Sequence, residues 1–178
     1  MTLALSSDTF TLEDFANDPP EGREWIDGNL IEKTGMTIRH SQIQLRVGRL
    51  WGNYVEESGQ GGEVYVELPC ITVRQGRRPD VCYLTPDLVE QFGQNATLPQ
   101  SPPLIAEIAS PSDPAEDLFA KADEYLQSGS VEVWLVFPES RRVLIVTGDR
   151  ESAFHGADEV STQIILPGFR VSLAELFR

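Results

Sequence analysis

The chain has 178 residues, of which 40% are hydrophobic, and it carries a formal net charge of -14. This length and composition are typical of one α/β domain with a sizeable core, and we expect a single domain over residues 1–178. The acidic balance argues against a protein whose affinity for nucleic acid depends on a broad basic surface. Two cysteines are too few for a secreted disulfide scaffold.

Targeting signals and metal-type motifs are not evident in the sequence. The N-terminal segment MTLALSSDTF lacks a basic leader followed by an apolar stretch, and no apolar run approaches transmembrane length. His40 and His155 are too far apart in sequence to suggest a zinc site. We therefore expect a cytoplasmic protein without a membrane partner.

The first half of the chain begins with a short helix capped by Thr9 or Thr11. A β-hairpin follows, because Asp27-Gly28 is the signal of a type I′ turn between two short apolar runs. Further predicted elements are a long amphipathic helix over about Ile38–Glu57, strands over Val64–Leu68, Cys70–Val73 and Pro79–Leu84, a turn over Arg74–Arg78, and a helix over Pro86–Asn95.

The second half contains a strand, helix, strand unit. Leu104–Ala109 is apolar at every position except Glu107, which is typical of a central strand. Asp113 is predicted to cap a helix that runs to about Gln127, and Val131–Val136 forms the next strand. The remaining predictions are an edge strand over Arg142–Thr147, a weakly patterned stretch over Gly148–Asp158, a last strand over Val160–Leu166, and a short helix over Leu173–Phe177.

Glu107 is the unusual residue of this unit. A buried carboxylate needs a partner, most simply a metal ion or a lysine, because its desolvation is costly. Strand and helix geometry place Lys121 at a similar depth on the covering helix. The pair could equally be a structural ion pair, and the spacing alone does not decide.

Other charged residues could complete a catalytic site. Asp80 lies at the start of a strand of the same predicted sheet, and Glu24 lies on the early hairpin. Two carboxylates on neighbouring strands, Asp80 and Glu107, could hold Mg²⁺ (or Mn²⁺), and Lys121 could stabilise charge on a phosphodiester. His40 could approach the cleft or remain a surface residue.

Several motifs, taken in order, resemble one family. They are REWIDGNLIE, His40 near the start of the long helix, RRPDVCYL, PPLIAEIASPSD, Lys121 with Tyr125, SGSVEVWLVFP and LPGFRVSLAELF. Together they resemble a large bacterial group of restriction-endonuclease-like proteins in the PD-(D/E)xK nuclease superfamily. The resemblance implies an α/β fold with a mixed central sheet flanked by helices, and metal-dependent cleavage of phosphodiester bonds, with DNA as the expected substrate.

The resemblance also implies roles for individual residues. Asp80 and Glu107 match the two acidic metal ligands, and Glu24 matches an early acidic residue of the site. The superfamily lysine would stand at Ala109, and Lys121 on the helix takes its place. The family often has an aspartate where this chain has Phe137.

Three functions remain open from the sequence. The first is a Mg²⁺-dependent DNA endonuclease, for which a homodimer would be the simplest way to cut both strands. The second is an inactive member of the fold that acts as a binding or regulatory module. The third is a glycosidase-like carboxylate pair, which would need a cleft lined with aromatic residues. Arg74, Arg77 and Arg78 could form a local nucleic-acid patch or a solvated turn.

Overall fold

The computed structural model describes residues 10–178, and a six-stranded mixed sheet lies at the centre of this part. In spatial order its strands are β10 (Glu151–Phe154), β9 (Arg142–Thr147), β8 (Glu132–Phe137), β7 (Leu104–Ile108), β6 (Val81–Leu84) and β3 (Glu63–Val66). β7 and β8 are parallel, as the strand, helix, strand unit predicts, and the other neighbouring pairs are antiparallel.

Helices cover both faces of this sheet. The long helix α2 (Ile38–Ser58) packs on one face, where Trp51 meets Trp134 in an edge-to-face contact with ring centroids 5.4 Å apart. Helix α4 (Ala115–Leu126) connects β7 to β8 and buries Leu118, Ala122 and Tyr125 against the other face. The prediction of a mixed sheet flanked by helices is therefore confirmed.

The remaining strands in the described part of the chain form two smaller sheets. One has the order β2 (Asn29–Glu32), β1 (Arg23–Ile26), β5 (Gly76–Arg77) and β4 (Cys70–Ile71), and the other pairs β11 (Glu159–Ser161) with β12 (Arg170–Ser172). Asp27 and Gly28 join β1 to β2 with φ angles of 46° and 87°. Both values are positive, as the predicted type I′ turn requires.

The shorter helices are α1 (Leu12–Asn17), α3 (Pro86–Phe92) and α5 (Leu173–Leu176). Thr11 caps α1 through a capping box with Asp14, whereas the alternative cap, Thr9, lies with the rest of residues 1–9 outside the described part of the chain. The predicted cap of α4 is wrong: Pro114 holds the N-cap position. The Asp113 carboxylate instead accepts the backbone N–H of Ser110 at 2.8 Å, because it closes the preceding loop.

One turn prediction and two strand predictions also differ from the structure. The predicted turn at Arg74–Arg78 contains β5, and β9 is not an edge strand because β10 pairs with it. Of the predicted strand over Val160–Leu166, only the first two residues are in a strand, as part of β11. The Glu132 carboxylate binds the backbone N–H groups of Gln163 and Ile164, so a side chain replaces the strand partner there.

Within residues 10–178, no helix combines the length and the apolar character needed to cross a bilayer. The assignment of residues 1–178 to a single domain remains a prediction.

Candidate active site

Glu107 is the second-last residue of the buried strand β7, and α4 supplies its partners. The Tyr125 hydroxyl donates to Glu107 Oε1 at 2.7 Å, and Lys121 Nζ lies 3.5 Å from Glu107 Oε2. Lys121 and Tyr125 are four residues apart, so both project from the same face of the helix. The predicted contact between Glu107 and Lys121 is therefore present.

Glu24 approaches the same lysine from the hairpin. Lys121 Nζ lies 3.5 Å from Glu24 Oε1, so the ammonium bridges two carboxylates. Glu24 Oε1 also accepts the backbone N–H of Arg78, and its Oε2 lies 3.2 Å from the Arg77 guanidinium. Arg77 in turn forms a bidentate pair with Glu124 on α4, which ties the hairpin to the helix.

Asp80 lies immediately before β6 and is almost fully buried. Its Oδ1 accepts from Lys33 Nζ at 2.9 Å. Its Oδ2 accepts the backbone N–H of Ile108 at 2.7 Å and lies 3.2 Å from His40 Nε2. Lys33 also binds Glu67, so a second ammonium bridges two carboxylates on this side of the site.

The register of the sheet brings Asp80 and Glu107 to the same face. Val81 pairs with Ala106 across β6 and β7, and continuing by one residue sets Asp80 opposite Glu107. Directly opposed residues of antiparallel strands project to the same side of a sheet. The bond from the Ile108 N–H to Asp80 holds the two acidic residues in this arrangement.

The ion pairs shift the pKa values of these groups. Burial acts to raise the pKa of Asp80, but Lys33 and His40 outweigh it and hold the pKa well below its ordinary value. Burial likewise opposes the charge of Lys121, yet Glu107 and Glu24 raise its pKa above the ordinary value. Asp80 is therefore ionised and Lys121 is protonated at neutral pH.

The pKa of Glu107 shifts in the opposite direction from those of Asp80 and Glu24. Burial raises its pKa, Lys121 counteracts this, and the nearby Asp80 adds to the increase, so the net pKa lies above the ordinary value. In Glu24, by contrast, Lys121 and Arg77 overcome the effect of burial and lower the pKa. An added cation would therefore favour the ionised form of Glu107.

A cavity of about 450 Å³ opens onto these groups. Its lining includes all four predicted site residues, together with Lys33 and His40: Glu24, Lys33, His40, Asp80, Glu107 and Lys121. The histidine is therefore not a surface residue, and only 3% of it is exposed. Its Nδ1 is buried and has no hydrogen-bond partner among residues 10–178.

The donor set fits a hard divalent cation in part. Asp80 and Glu107 are two carboxylates on one face, and Mg²⁺ often binds through one or two carboxylates while keeping water or phosphate ligands. Among residues 10–178, the ion-pair network around them contains five carboxylates, two lysines and one arginine, so acidic groups outnumber basic ones. However, no group of three or more His, Cys, Asp or Glu residues within 10–178 could hold a metal ion.

Arg77 of the predicted basic cluster lines the cavity, whereas Arg74 and Arg78 do not. Arg77 pairs with carboxylates and Arg78 donates to backbone carbonyls of Pro19, Pro20 and Arg23, so these two arginines do not form a solvated turn. Arg74 is exposed, and the nucleic-acid patch stays a prediction. Trp51 and Trp134 belong to the core. Phe137 packs with the apolar residues under α4 and does not line the cavity.

Lys33 and Glu67 were not predicted from the sequence to belong to the site, and Tyr125 had no predicted role. Lys33 directly follows β2, which is mostly exposed, and Glu67 directly follows the edge strand β3, so neither has a local signal of burial. One available signal for Tyr125 was its spacing from Lys121, which places both on the helix face over Glu107.

Comparison with known proteins places the chain among nuclease-like folds. A solved structure from Anabaena variabilis ATCC 29413, described as a putative nuclease belonging to DUF820, superposes with a TM-score of 0.82. It is 21% identical, and the similarity covers 94% of this chain and 97% of that one, so it shows a shared fold. A search of curated proteins found no match. The model of the Uma2 family, described as "Putative restriction endonuclease", matches residues 9–174, and the chain belongs to this family.

Proposed function

We propose that this protein is a metal-dependent endonuclease that cleaves phosphodiester bonds of DNA. The observation that supports this best is the meeting of Glu24, Asp80, Glu107 and Lys121 in one cavity, with Lys121 between two carboxylates. The family description supports nuclease chemistry in general. The metal, the DNA substrate and the role of each residue are our proposals.

Asp80 and Glu107 would hold Mg²⁺ or Mn²⁺, which would polarise the phosphodiester and lower the pKa of a bound water. Tyr125 orients Glu107 through a 2.7 Å hydrogen bond. Lys121 is catalytic in this proposal: its ammonium stabilises the negative charge that develops on the phosphoryl oxygens. Glu24 keeps this lysine protonated and holds it beside Glu107.

Cleavage of supercoiled plasmid tests this function. Wild-type protein should nick or linearise the plasmid with Mg²⁺ or Mn²⁺ and should be inactive in EDTA. Lys121→Met should bind Mn²⁺ but lose at least about 100-fold in rate, since removal of one group that stabilises the transition state typically costs about 100-fold to 1,000-fold. Equal rates for the two proteins would refute the catalytic role of Lys121.

A second candidate is a catalytically inactive binding module, which one observation favours. Both oxygens of Asp80 already have protein partners, so the site is satisfied without a metal. Absence of any Mg²⁺-dependent cleavage, on plasmid and on single-stranded DNA, would favour this alternative. The glycosidase alternative has less support, because no Trp, Tyr or Phe lines the cavity in the described part of the chain.

Assembly and location complete the proposal. A homodimer would supply two copies of the site for the two strands of DNA, and light scattering at micromolar concentration would test it. Cys70 and Cys82 are free and buried. Free thiols are compatible with a reducing compartment, and we propose a cytoplasmic location on that basis.

A further inference from the structure

Lys33 occupies a position enclosed by oxygen atoms. Its backbone N–H donates to the Gly22 carbonyl at the end of the hairpin, which fixes the start of the side chain. Its Nζ lies 2.9 Å from Asp80 Oδ1, 2.9 Å from both Glu67 carboxylate oxygens and 2.8 Å from the Arg78 carbonyl oxygen. An ammonium has three N–H donors, so these partners satisfy it fully.

These partners are also ligands for a hard cation. Carboxylates and backbone carbonyls are the protein groups that bind divalent metals through oxygen. The Lys33 side chain is 13% exposed and lines the cavity, so the position is reached from the side where a metal would enter. The Lys33 ammonium therefore occupies a position beside Asp80 whose surrounding oxygen atoms could also bind a metal ion.

The remaining oxygen of Asp80 does not offer an alternative. Oδ2 already accepts the Ile108 N–H and lies within hydrogen-bonding distance of His40. A divalent ion on the second lone pair of Oδ1 would lie beside the ammonium, and charges of the same sign a few ångströms apart repel strongly in a partly buried site. Metal and ammonium therefore exclude each other at Asp80.

We propose that Lys33 is an intramolecular competitor for the divalent cation, so that metal binds Asp80 only when the ammonium leaves it. This inference rests on the metal site of the proposed function. Lys33 thereby sets the metal affinity of the chain without being a metal ligand. Removal of the Lys33 ammonium should tighten metal binding even though the fold then loses its contacts with Glu67, Asp80 and the Arg78 carbonyl.

Calorimetric titration with Mn²⁺ alone tests the competition. Lys33→Met should bind Mn²⁺ at least about tenfold more tightly than wild type, which corresponds to about 1.4 kcal/mol of relieved competition. The double variant Lys33→Met/Glu67→Gln has the same net charge as wild type and frees the same oxygen of Asp80. It should also bind more tightly, which would separate displacement from a change in overall charge.

Lys121→Met is the matched control. It removes the other lysine of the same site, whose Nζ lies at the longer distance of 3.5 Å from Glu24 and Glu107, and it leaves Lys33 on Asp80. Its affinity for Mn²⁺ should increase by less than about threefold, well short of the tenfold gain. An equal gain in Lys121→Met and Lys33→Met would overturn the competition, because general electrostatics would then explain both.

Melting curves keep the test valid if Lys33→Met is unstable. Mn²⁺ should raise its melting temperature more than that of wild type, because a ligand stabilises the folded state by mass action. If wild type binds Mn²⁺ and both Lys33 variants bind no more tightly, the competition is refuted and the proposed nuclease site stands. If none of the proteins binds Mn²⁺, both proposals are refuted.

Discussion

Replacement of Glu107 by glutamine separates a catalytic carboxylate from a structural one. Glutamine retains an oxygen that can accept from the Tyr125 hydroxyl, and Lys121 keeps Glu24 at 3.5 Å as a second partner. The lysine is therefore not left unpaired. Burial and Asp80 already disfavour the negative charge of Glu107 and raise its pKa, so the charge that is lost stabilises the fold little.

The expected change in stability follows from this arrangement. Leaving a buried charge unpaired costs about 3–5 kcal/mol, whereas we expect Glu107→Gln to cost less than about 1 kcal/mol because Lys121 retains Glu24. In a chain of 178 residues, 1 kcal/mol changes the melting temperature by about 2–4 °C. The melting temperature without metal should thus fall by less than about 4 °C, not by the roughly 6–20 °C of an unpaired lysine.

The assay pairs these melting curves with plasmid cleavage. Glu107→Gln should lose at least about 100-fold in Mg²⁺-dependent cleavage and should lose the thermal shift that Mg²⁺ gives wild type. Glu132→Gln is the control, since Glu132 is a fully buried glutamate on the neighbouring strand and does not line the cavity. It should lower stability by about 1–3 kcal/mol and retain cleavage. A fall in the melting temperature of Glu107→Gln by roughly 6–20 °C, with unchanged cleavage by the protein that remains folded, would refute the catalytic role of Glu107.

Three further variants test other parts of the structure. Glu24→Gln should destabilise the protein at pH 7, because folding lowers the pKa of Glu24 from 4.5 and its ionised form therefore stabilises the folded state above that pH. In urea unfolding, the difference in stability from wild type should shrink as the pH falls below 4.5, and a difference independent of pH would refute this role of Glu24. Tyr125→Phe should cost about 0.5–1.5 kcal/mol and reduce cleavage while Glu107 remains in place, and unchanged cleavage would exclude an orienting role. Gly76→Ala should cost about 1–3 kcal/mol by thermal unfolding because its Cβ would lie 2.4 Å from the Phe15 ring, and wild-type stability would show that α1 moves freely.

The central unit of the fold was predictable because its signals are local. The apolar run of β7, the helical spacing of α4 and the apolar run of β8 each follow from consecutive residues. The spacing of strand, helix and strand predicts that β7 and β8 are parallel, and the contact of Glu107 with Lys121 follows from the rise per residue of a strand and of a helix. The Asp27-Gly28 turn was equally local, since two positive φ angles favour these residues.

Features that depend on tertiary partners were not predictable. Arg77 and Arg78 appear as a polar turn in sequence, yet carboxylates and carbonyls from distant segments bury them. Lys33 lies 47 residues from Asp80, and nothing near it in the sequence indicates that contact. Glu132 binds a loop about 31 residues later and thereby replaces a predicted strand. In each case a side chain far along the chain provides the partner.

Anomalous diffraction from crystals soaked in Mn²⁺ shows whether a metal ion binds between Asp80 and Glu107, because it locates the ion without an activity assay. The account predicts one peak within bonding distance of both the Asp80 and Glu107 carboxylates, with Lys33 Nζ displaced from Asp80 Oδ1 and Lys121 still between Glu24 and Glu107. No peak in this cavity at saturating Mn²⁺, with the ammonium of Lys33 still on Asp80, would contradict the account and would favour a binding module.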